Sequence, residues 1–492
     1  MATAGLWMLA VVAVTLIATG LPAWIVLIGV AVAFSGGGLF VGAFTLPILT
    51  AVPARILGLL ENDLLQALPL YVLMGALLNH LPLAQTVFRA TSRALERSGA
   101  GTALAGLGLG VLLAPMNGSV GASVATLGRT VFPRLDAAGM PAEKSAALVC
   151  VASTLGVVVP PSLVLILLSD AMMRAHTEAL HLTGRAMRII NTQDVFVGAL
   201  VPAAILLAMY SVVTWVTCRA KTGVIAAAAP RPTAREWATA GATAAFVAGL
   251  LIGVTLGYLY AVEAAAAGGV VLVLFGLATR TLTRTVLREV LLDTMVVTGA
   301  LFALLVGATV FTLILRAYGT DRWVAAALVE LPGGAPAALA VVLASLALCA
   351  LVLDAFEMIF VVIPVVMPPL LTQIGDATWV AVLTLLILQA SFLAPPFGYA
   401  VLMVRNSVRR ALSARGMARA LAPYLAAQLA VLALTLAWPM LVWHRNPSDL
   451  GSSTAAASTS EDERPRTLEQ QLERNADDDA KDAASDPAAK PR

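Results

Sequence analysis

Residues 152–170 read ASTLGVVVPPSLVLILLSD, and residues 388–398 read LQASFLAPPFG. Each places two consecutive prolines inside an apolar run with the character of a membrane helix. Proline lacks a backbone N–H and its ring clashes with the preceding turn, so Pro160-Pro161 and Pro395-Pro396 break their helices. The carbonyls freed in this way need partners. Inside a bilayer, broken backbone survives only where protein buries it or where it lines a wet cavity. A further match turns the two stretches into a repeat: Pro133 in FPRL answers Pro368 in PPL, and positions 133 and 368, 160 and 395, and 161 and 396 are all 235 apart. Three matches at one offset indicate two related halves. Helix breaks at corresponding places in two halves are the sequence signature of a midplane binding site in a secondary transporter.

Outward from these stretches, the composition is that of a membrane protein. Of 492 residues, 60% are hydrophobic and 12% charged, and the mean hydropathy is +0.90; a soluble domain carries roughly 25% charged residues. A water-soluble core cannot absorb that much apolar surface. The small net charge of +3 gives no sign of nucleic acid. Dividing the apolar stretches by the about 20 residues that one crossing needs gives roughly ten to twelve crossings, some of them broken. No charge precedes Arg55, so residues 1–54 lack the basic start of a cleaved signal peptide and are read as retained membrane helix.

Basic residues cluster between apolar segments, as the positive-inside rule requires of cytoplasmic loops. One cluster holds Arg219, Lys221, Arg231 and Arg235, and another Arg280, Arg284 and Arg288. The span between them fits two helices joined by a turn that carries or approaches Glu263. Cys150, Cys218 and Cys349 lie far apart in apolar runs, without disulfide or metal-ligand spacing. His80, His176, His181 and His444 form no metal motif either. No cofactor is expected. The chain therefore divides into a first membrane half (1–235), a second (236–443) and a polar tail (444–492) too poor in aliphatic residues to fold alone.

Upstream of each double proline lies a second unusual segment. The first, PMNGSVGASVATLG (115–128), interrupts the apolar pattern with Gly and Ser. Small residues of this kind serve close helix packing as well as binding. The second, LDAFEMIFVVIPVV (353–366), places Asp354 and Glu357 one helical turn apart on one face. Intramembrane carboxylates are costly, so such a pair serves function or a buried partner, for which Arg316 and Arg405 are the candidates. Each segment suits the tip of a re-entrant helical hairpin. The fold expected is an all-α polytopic membrane protein of two repeats, with re-entrant hairpins and proline-broken helices; the repeats are inverted if an odd number of crossings separates equivalent points.

At these residues the chain resembles the large permease subunit, DctM-like, of the tripartite ATP-independent periplasmic (TRAP) transporters. The resemblance runs from about Phe40 to Trp443 and is carried by VGASVATLG, ASTLGVVVPPSLVLILLSD, LDAFEMIFVVIPVV and LQASFLAPPFG. The NGSVGASVAT form and the D-x-x-E pair are similar to the mannitol/chloroaromatic-type branch. The resemblance implies an elevator architecture in the bacterial inner membrane, with sodium ions as coupling ions. It also implies a small DctQ-like membrane subunit, a DctP-like periplasmic binding protein and an organic-acid, carboxylate substrate. Carried onto this chain, the family's substrate and ion sites fall at Asn117, Gly118, Ser119 and Ser123 in the first tip. They fall at Thr154, Gly156, Pro160 and Pro161 in the first break, and at Ser391, Pro395, Pro396 and Gly398 in the second. Sodium ligands are then expected among Ser119, Ser123, Thr154, Ser391 and neighbouring backbone carbonyls. Where many relatives carry a Ser-Gly-Ser-Ser tip, this chain has Met116, Asn117 and a longer Gly-Ser-Val-Gly-Ala-Ser run.

The segment Arg174–Asn191, with His176, His181, Arg185 and Arg188, reads as a loop that is either solvated or contacts a partner. The rival to the tripartite reading is a binary sodium-coupled carboxylate symporter or antiporter that needs no binding protein. An intramembrane enzyme would require a nucleophile with its base or paired aspartates on facing helices, and the sequence offers neither.

Overall fold

In the computed structural model the described residues are 3–61, 63–113, 115, 120–184, 190–219, 232–351, 353–394, 398–407 and 412–443. They are helical, with no strand among them, and Met1–Val442 forms one compact unit. The tail from 444 on lies outside the described residues. Seven single helices are long and apolar enough to cross a membrane, or up to nine spans if each bent pair counts as one. The lower count than ten to twelve has a plain cause. Gly101–Leu113, Gly334–Cys349 and Ala377–Leu393 are apolar but too short to cross alone. Large side chains such as Phe40, 93% exposed, and Ile17, 68% exposed, stand on the outer surface, as lipid-facing residues do.

The proline offset reappears in the helices. Ala142–Val158 and Ala377–Leu393 are both 17 residues long, and 142 and 377 are again 235 apart. The returning segments that begin at Val120 and Ala355 keep the same spacing. Between the two basic clusters, Ala234–Thr255 and Ala261–Ala278 are the two expected helices. Glu263 sits at their turn and accepts a hydrogen bond from the Tyr260 N–H at 3.0 Å.

Side-chain contacts define two faces. On one, Arg89 pairs with Glu236 at 2.8 Å, Trp215 donates to the Ser98 carbonyl at 3.1 Å, and Lys144 donates to the Thr217 carbonyl at 2.8 Å. On the other, Gln193 reaches the Thr255 carbonyl at 3.4 Å, Trp379 the Thr435 carbonyl at 2.9 Å, and Tyr318 the Phe34 carbonyl at 2.7 Å. Helix Thr192–Cys218 runs from the second face to the first, since Gln193 opens it and Thr217 ends it. Hairpin 1, Gly101–Leu113 with Val120–Thr130, is flanked by Ser98 and Lys144 and so enters from the first face. Hairpin 2 runs out along Gly334–Cys349 and returns through Ala355–Glu357, a π-helical turn Met358–Val362, and Ile363–Gln373. Tyr318 and Trp379 flank it, so it enters from the second face. The halves are therefore inverted.

The segment read as a loop from Arg174 is in fact the end of helix Leu163–Thr183. Its Glu-Ala-Leu-His-Leu content favours helix, and the chain leaves it only at Gly184, whose left-handed φ of 62° suits glycine. Arg174 pairs with Asp170 at 3.0 Å and His176 is buried. Arg185 and Arg188 lie outside the described residues.

Candidate functional site: two helix breaks and two hairpins

Broken helix 1 consists of Ala142–Val158 and Leu163–Thr183, bent by 41°. Pro160 and Pro161 cannot donate to the carbonyls four residues earlier, those of Gly156 and Val157. Ser162, 0% exposed, repairs half of the damage: its hydroxyl donates to the Val157 carbonyl at 3.3 Å and accepts from the Leu165 N–H at 3.1 Å. It caps the second half-helix while closing the first. The Gly156 carbonyl keeps no donor at its usual position. Thr154, fully buried, donates to the Val151 carbonyl at 3.0 Å, which leaves its oxygen lone pairs available.

Broken helix 2 is Ala377–Leu393 followed by Tyr399–Ser407, and its Pro395 and Pro396 lie outside the described residues. Proline at 396 has no N–H to give the Phe392 carbonyl. Gly398 closes tightly on this carbonyl: a Cβ at 398 would lie 2.5 Å from the Phe392 oxygen, and the Gly398 N–H bonds the Ala394 carbonyl at 2.8 Å. Only glycine fits there. Ser391 donates to the Ile387 carbonyl at 2.9 Å and to the Ala347 carbonyl of hairpin 2 at 3.3 Å.

At the tips, Asn117, Gly118 and Ser119 lie outside the described residues. Ser123 is buried in the returning arm of hairpin 1. Asp354 and Glu357 do not share one helical face, as their spacing suggested. Asp354 is the non-helical N-cap (φ −74°, ψ 168°), and Glu357 folds back so that its carboxylate accepts the Asp354 N–H at 3.2 Å. Aspartate favours this capping position because its short side chain competes with helical bonding. Arg316 is not their partner; it pairs with Glu178. Among the described residues, no cation forms an ion pair with either carboxylate.

The halves interlock. The first halves of the two broken helices pack on each other, and each second half packs on the returning arm of the other half's hairpin: Leu163–Thr183 against Ile363–Gln373, and Tyr399–Ser407 against Val120–Thr130. The buried Cys150 thiol reaches the Ala400 carbonyl at 3.6 Å across this junction. The structure thus packs the helix of Thr154 and Gly156, which ends just before Pro160 and Pro161, against the helix of Ser391. Sequence reasoning passed over Ser162, although a serine directly before the apolar run LVLILL is an N-cap signal.

Chemically, each break presents two opposite ends. The last carbonyls of a first half are negative and suit a cation, while the first amides of a second half are positive and suit a carboxylate. No group of three or more His, Cys, Asp or Glu residues among the described ones could hold a transition metal. Hydroxyls, carbonyls and carboxylates are instead the ligands of a hard cation.

A family model described as "Tripartite ATP-independent periplasmic transporter, DctM component" matches residues 9–441. A relative described as "C4-dicarboxylate TRAP transporter large permease protein DctM", from Pseudomonas aeruginosa, is 28% identical over 200 residues, 41% of this chain and 42% of the relative. One of the same description from Rhodobacter capsulatus is 25% identical over 159 residues, 32% of this chain and 35% of the relative. The aligned stretches thus span less than half of either relative's length. These relatives are permeases, not enzymes. Among solved structures, the YdaH transporter of Alcanivorax borkumensis aligns with a TM-score of 0.54 at 17% identity, covering 80% of this chain and 88% of that one. MtrF of Neisseria gonorrhoeae, from a study of antimetabolite efflux pumps, aligns with a TM-score of 0.52 at 14% identity, covering 80% and 83%. Both show likeness of fold alone.

Proposed function

Because this chain belongs to the DctM component family of the tripartite ATP-independent periplasmic transporters, we propose that it carries out sodium-driven uptake of an organic acid across the bacterial inner membrane. A DctP-like periplasmic protein delivers the carboxylate, and a DctQ-like small subunit joins the scaffold. The basic face, with Arg89, Arg93, Arg97, Lys144, Arg219 and Arg235, then lies in the cytoplasm. Hairpin 1 opens from that side and hairpin 2 from the periplasm. The two halves, 1–235 and 236–443, supply equivalent halves of the site.

The observation that carries this reading is the pair of matched helix breaks, each paired with a hairpin from the opposite face. Oxygen ligands for sodium come from Ser119, Ser123, Thr154 and Ser391, from the Gly156 and Phe392 carbonyls, and from Asp354 and Glu357. Asn117, Gly118, Pro160, Pro161, Pro395, Pro396 and Gly398 shape the tips and breaks. The half-helix starts at Leu163 and Tyr399 aim positive dipoles at the substrate carboxylate. An elevator movement of hairpins and broken helices against the scaffold would carry both across. The test is uptake of labelled organic acids into proteoliposomes holding this chain and its small subunit, with and without binding protein and an inward sodium gradient. Uptake needing both supports the tripartite reading; uptake without the binding protein replaces it with a binary symporter.

A further inference from the structure

The returning arm of hairpin 2, Ile363–Gln373, contains Pro368 and Pro369 within the helix. The Pro364 carbonyl would normally accept from the amide at 368, or in a widened turn from that at 369, and neither proline has an N–H to give. An open carbonyl in a membrane protein needs a donor from elsewhere. Arg316 provides it: one guanidinium nitrogen donates to the Pro364 carbonyl at 2.9 Å. The same nitrogen and its neighbour form a bidentate pair with Glu178, both at 2.9 Å. Arg316 stands in the last turn of the 34-residue helix Arg284–Ala317, where the helix dipole favours a cation. Glu178 belongs to the second half of broken helix 1. A single guanidinium therefore ties three elements together.

We infer that Arg316 is a positioning residue for hairpin 2, standing in for the backbone donor that Pro368 lacks and, with Glu178, fixing the returning arm that carries the Asp354–Glu357 tip against broken helix 1. The geometry is independent of the transport reading, and its consequence for uptake rests on that reading. The planar fork of arginine is what the arrangement needs, since one nitrogen must serve the carboxylate and the carbonyl at once.

Hydrogen exchange of the full chain in lipid nanodiscs tests the contact directly. R316Q should speed exchange of the amides at 365–367 and 370–372 by on the order of tenfold, the effect of losing one charge-assisted hydrogen bond. R316Q/P368A should return protection, because alanine at that position supplies the missing N–H. The charge swap E178R/R316E should not, because it rebuilds the ion pair without a donor at 316. Unchanged exchange in R316Q, failure of P368A to rescue, or rescue by the charge swap alone would overturn the inference. Uptake measured in parallel should fall with R316Q and recover with R316Q/P368A. If the unaltered chain shows no uptake, the transport reading fails while the exchange result still decides the role of Arg316.

Discussion

Replacing Ser162 by alanine removes two hydrogen bonds at the first helix break and little volume. The lost cap on the Leu165 N–H costs about 1 kcal/mol, within a range of about 0.5–2. The Val157 carbonyl, denied a backbone donor by Pro161, loses its one substitute and adds about 1 kcal/mol. Hydrogen bonds in membrane proteins average nearer 0.6 kcal/mol, which lowers the sum. A total of about 1–2 kcal/mol remains, equivalent to a shift of roughly 5–30-fold in a two-state population. Ser153 is the matched control: it is 1% exposed and donates only to the Val149 and Cys150 carbonyls of its own helix, at 2.7 and 2.9 Å. Such bonds contribute little, so Ser153→Ala should cost less than about 0.5 kcal/mol. On the proposed sodium coupling at this break, initial uptake rates titrated against sodium should show the half-saturating concentration raised roughly 5–30-fold in Ser162→Ala, near normal in Ser153→Ala, and near normal in Ser162→Thr, which keeps a capping hydroxyl. Equal behaviour of the two alanine variants would refute the reasoning, because burial rather than the break would then set the effect.

Three further outcomes are expected. Gly398→Ala sets a methyl 2.5 Å from the Phe392 carbonyl oxygen and 2.9 Å from the Ala394 nitrogen; the strain, about 1–3 kcal/mol, should abolish uptake while size-exclusion chromatography still shows a monodisperse protein. Asp354→Asn and Ser119→Ala should each cripple uptake with membrane insertion intact, and normal uptake in both would remove the hairpin tips from the site. Arg89→Ala breaks a part-exposed pair with Glu236, so thermal stability should change by no more than about 1 kcal/mol and uptake should be unaltered; a large loss would give that face a role beyond packing.

The breaks were legible because proline acts through its own covalent structure, so VVVPPS and FLAPPFG announce themselves without knowledge of the fold. The repeat was legible for the same reason, and the helices Ala142–Val158 and Ala377–Leu393 keep its offset. The carboxylate pair was found but misplaced: a D-x-x-E spacing fits both a helical face and a cap followed by its third residue, and only the ψ of 168° at Asp354 decides between them. The partner of Arg316 was out of reach, since Glu178 lies 138 positions away and no local pattern links them. Segment 174–183 was misread because its charges and histidines look like a loop, while its backbone follows the helix-forming residues between them.

The exchange of partners between the halves has a mechanical consequence. If each hairpin packed only on the broken helix of its own half, the two halves could move independently and ion binding in one would leave the other unaffected. Instead, Leu163–Thr183 lies on the returning arm of hairpin 2, and Tyr399–Ser407 lies on that of hairpin 1. The first break, where Ser162 and the Gly156 carbonyl sit, is therefore joined by packing to the arm that carries the Asp354–Glu357 tip. The second break, where Gly398 closes on the Phe392 carbonyl, is joined in the same way to the returning arm bearing Ser123. Packed interfaces shift between discrete arrangements rather than deforming smoothly. On the proposed function, occupation of one break would then be linked to the position of the hairpin from the opposite face, the linkage that coupled transport of an ion and a solute requires.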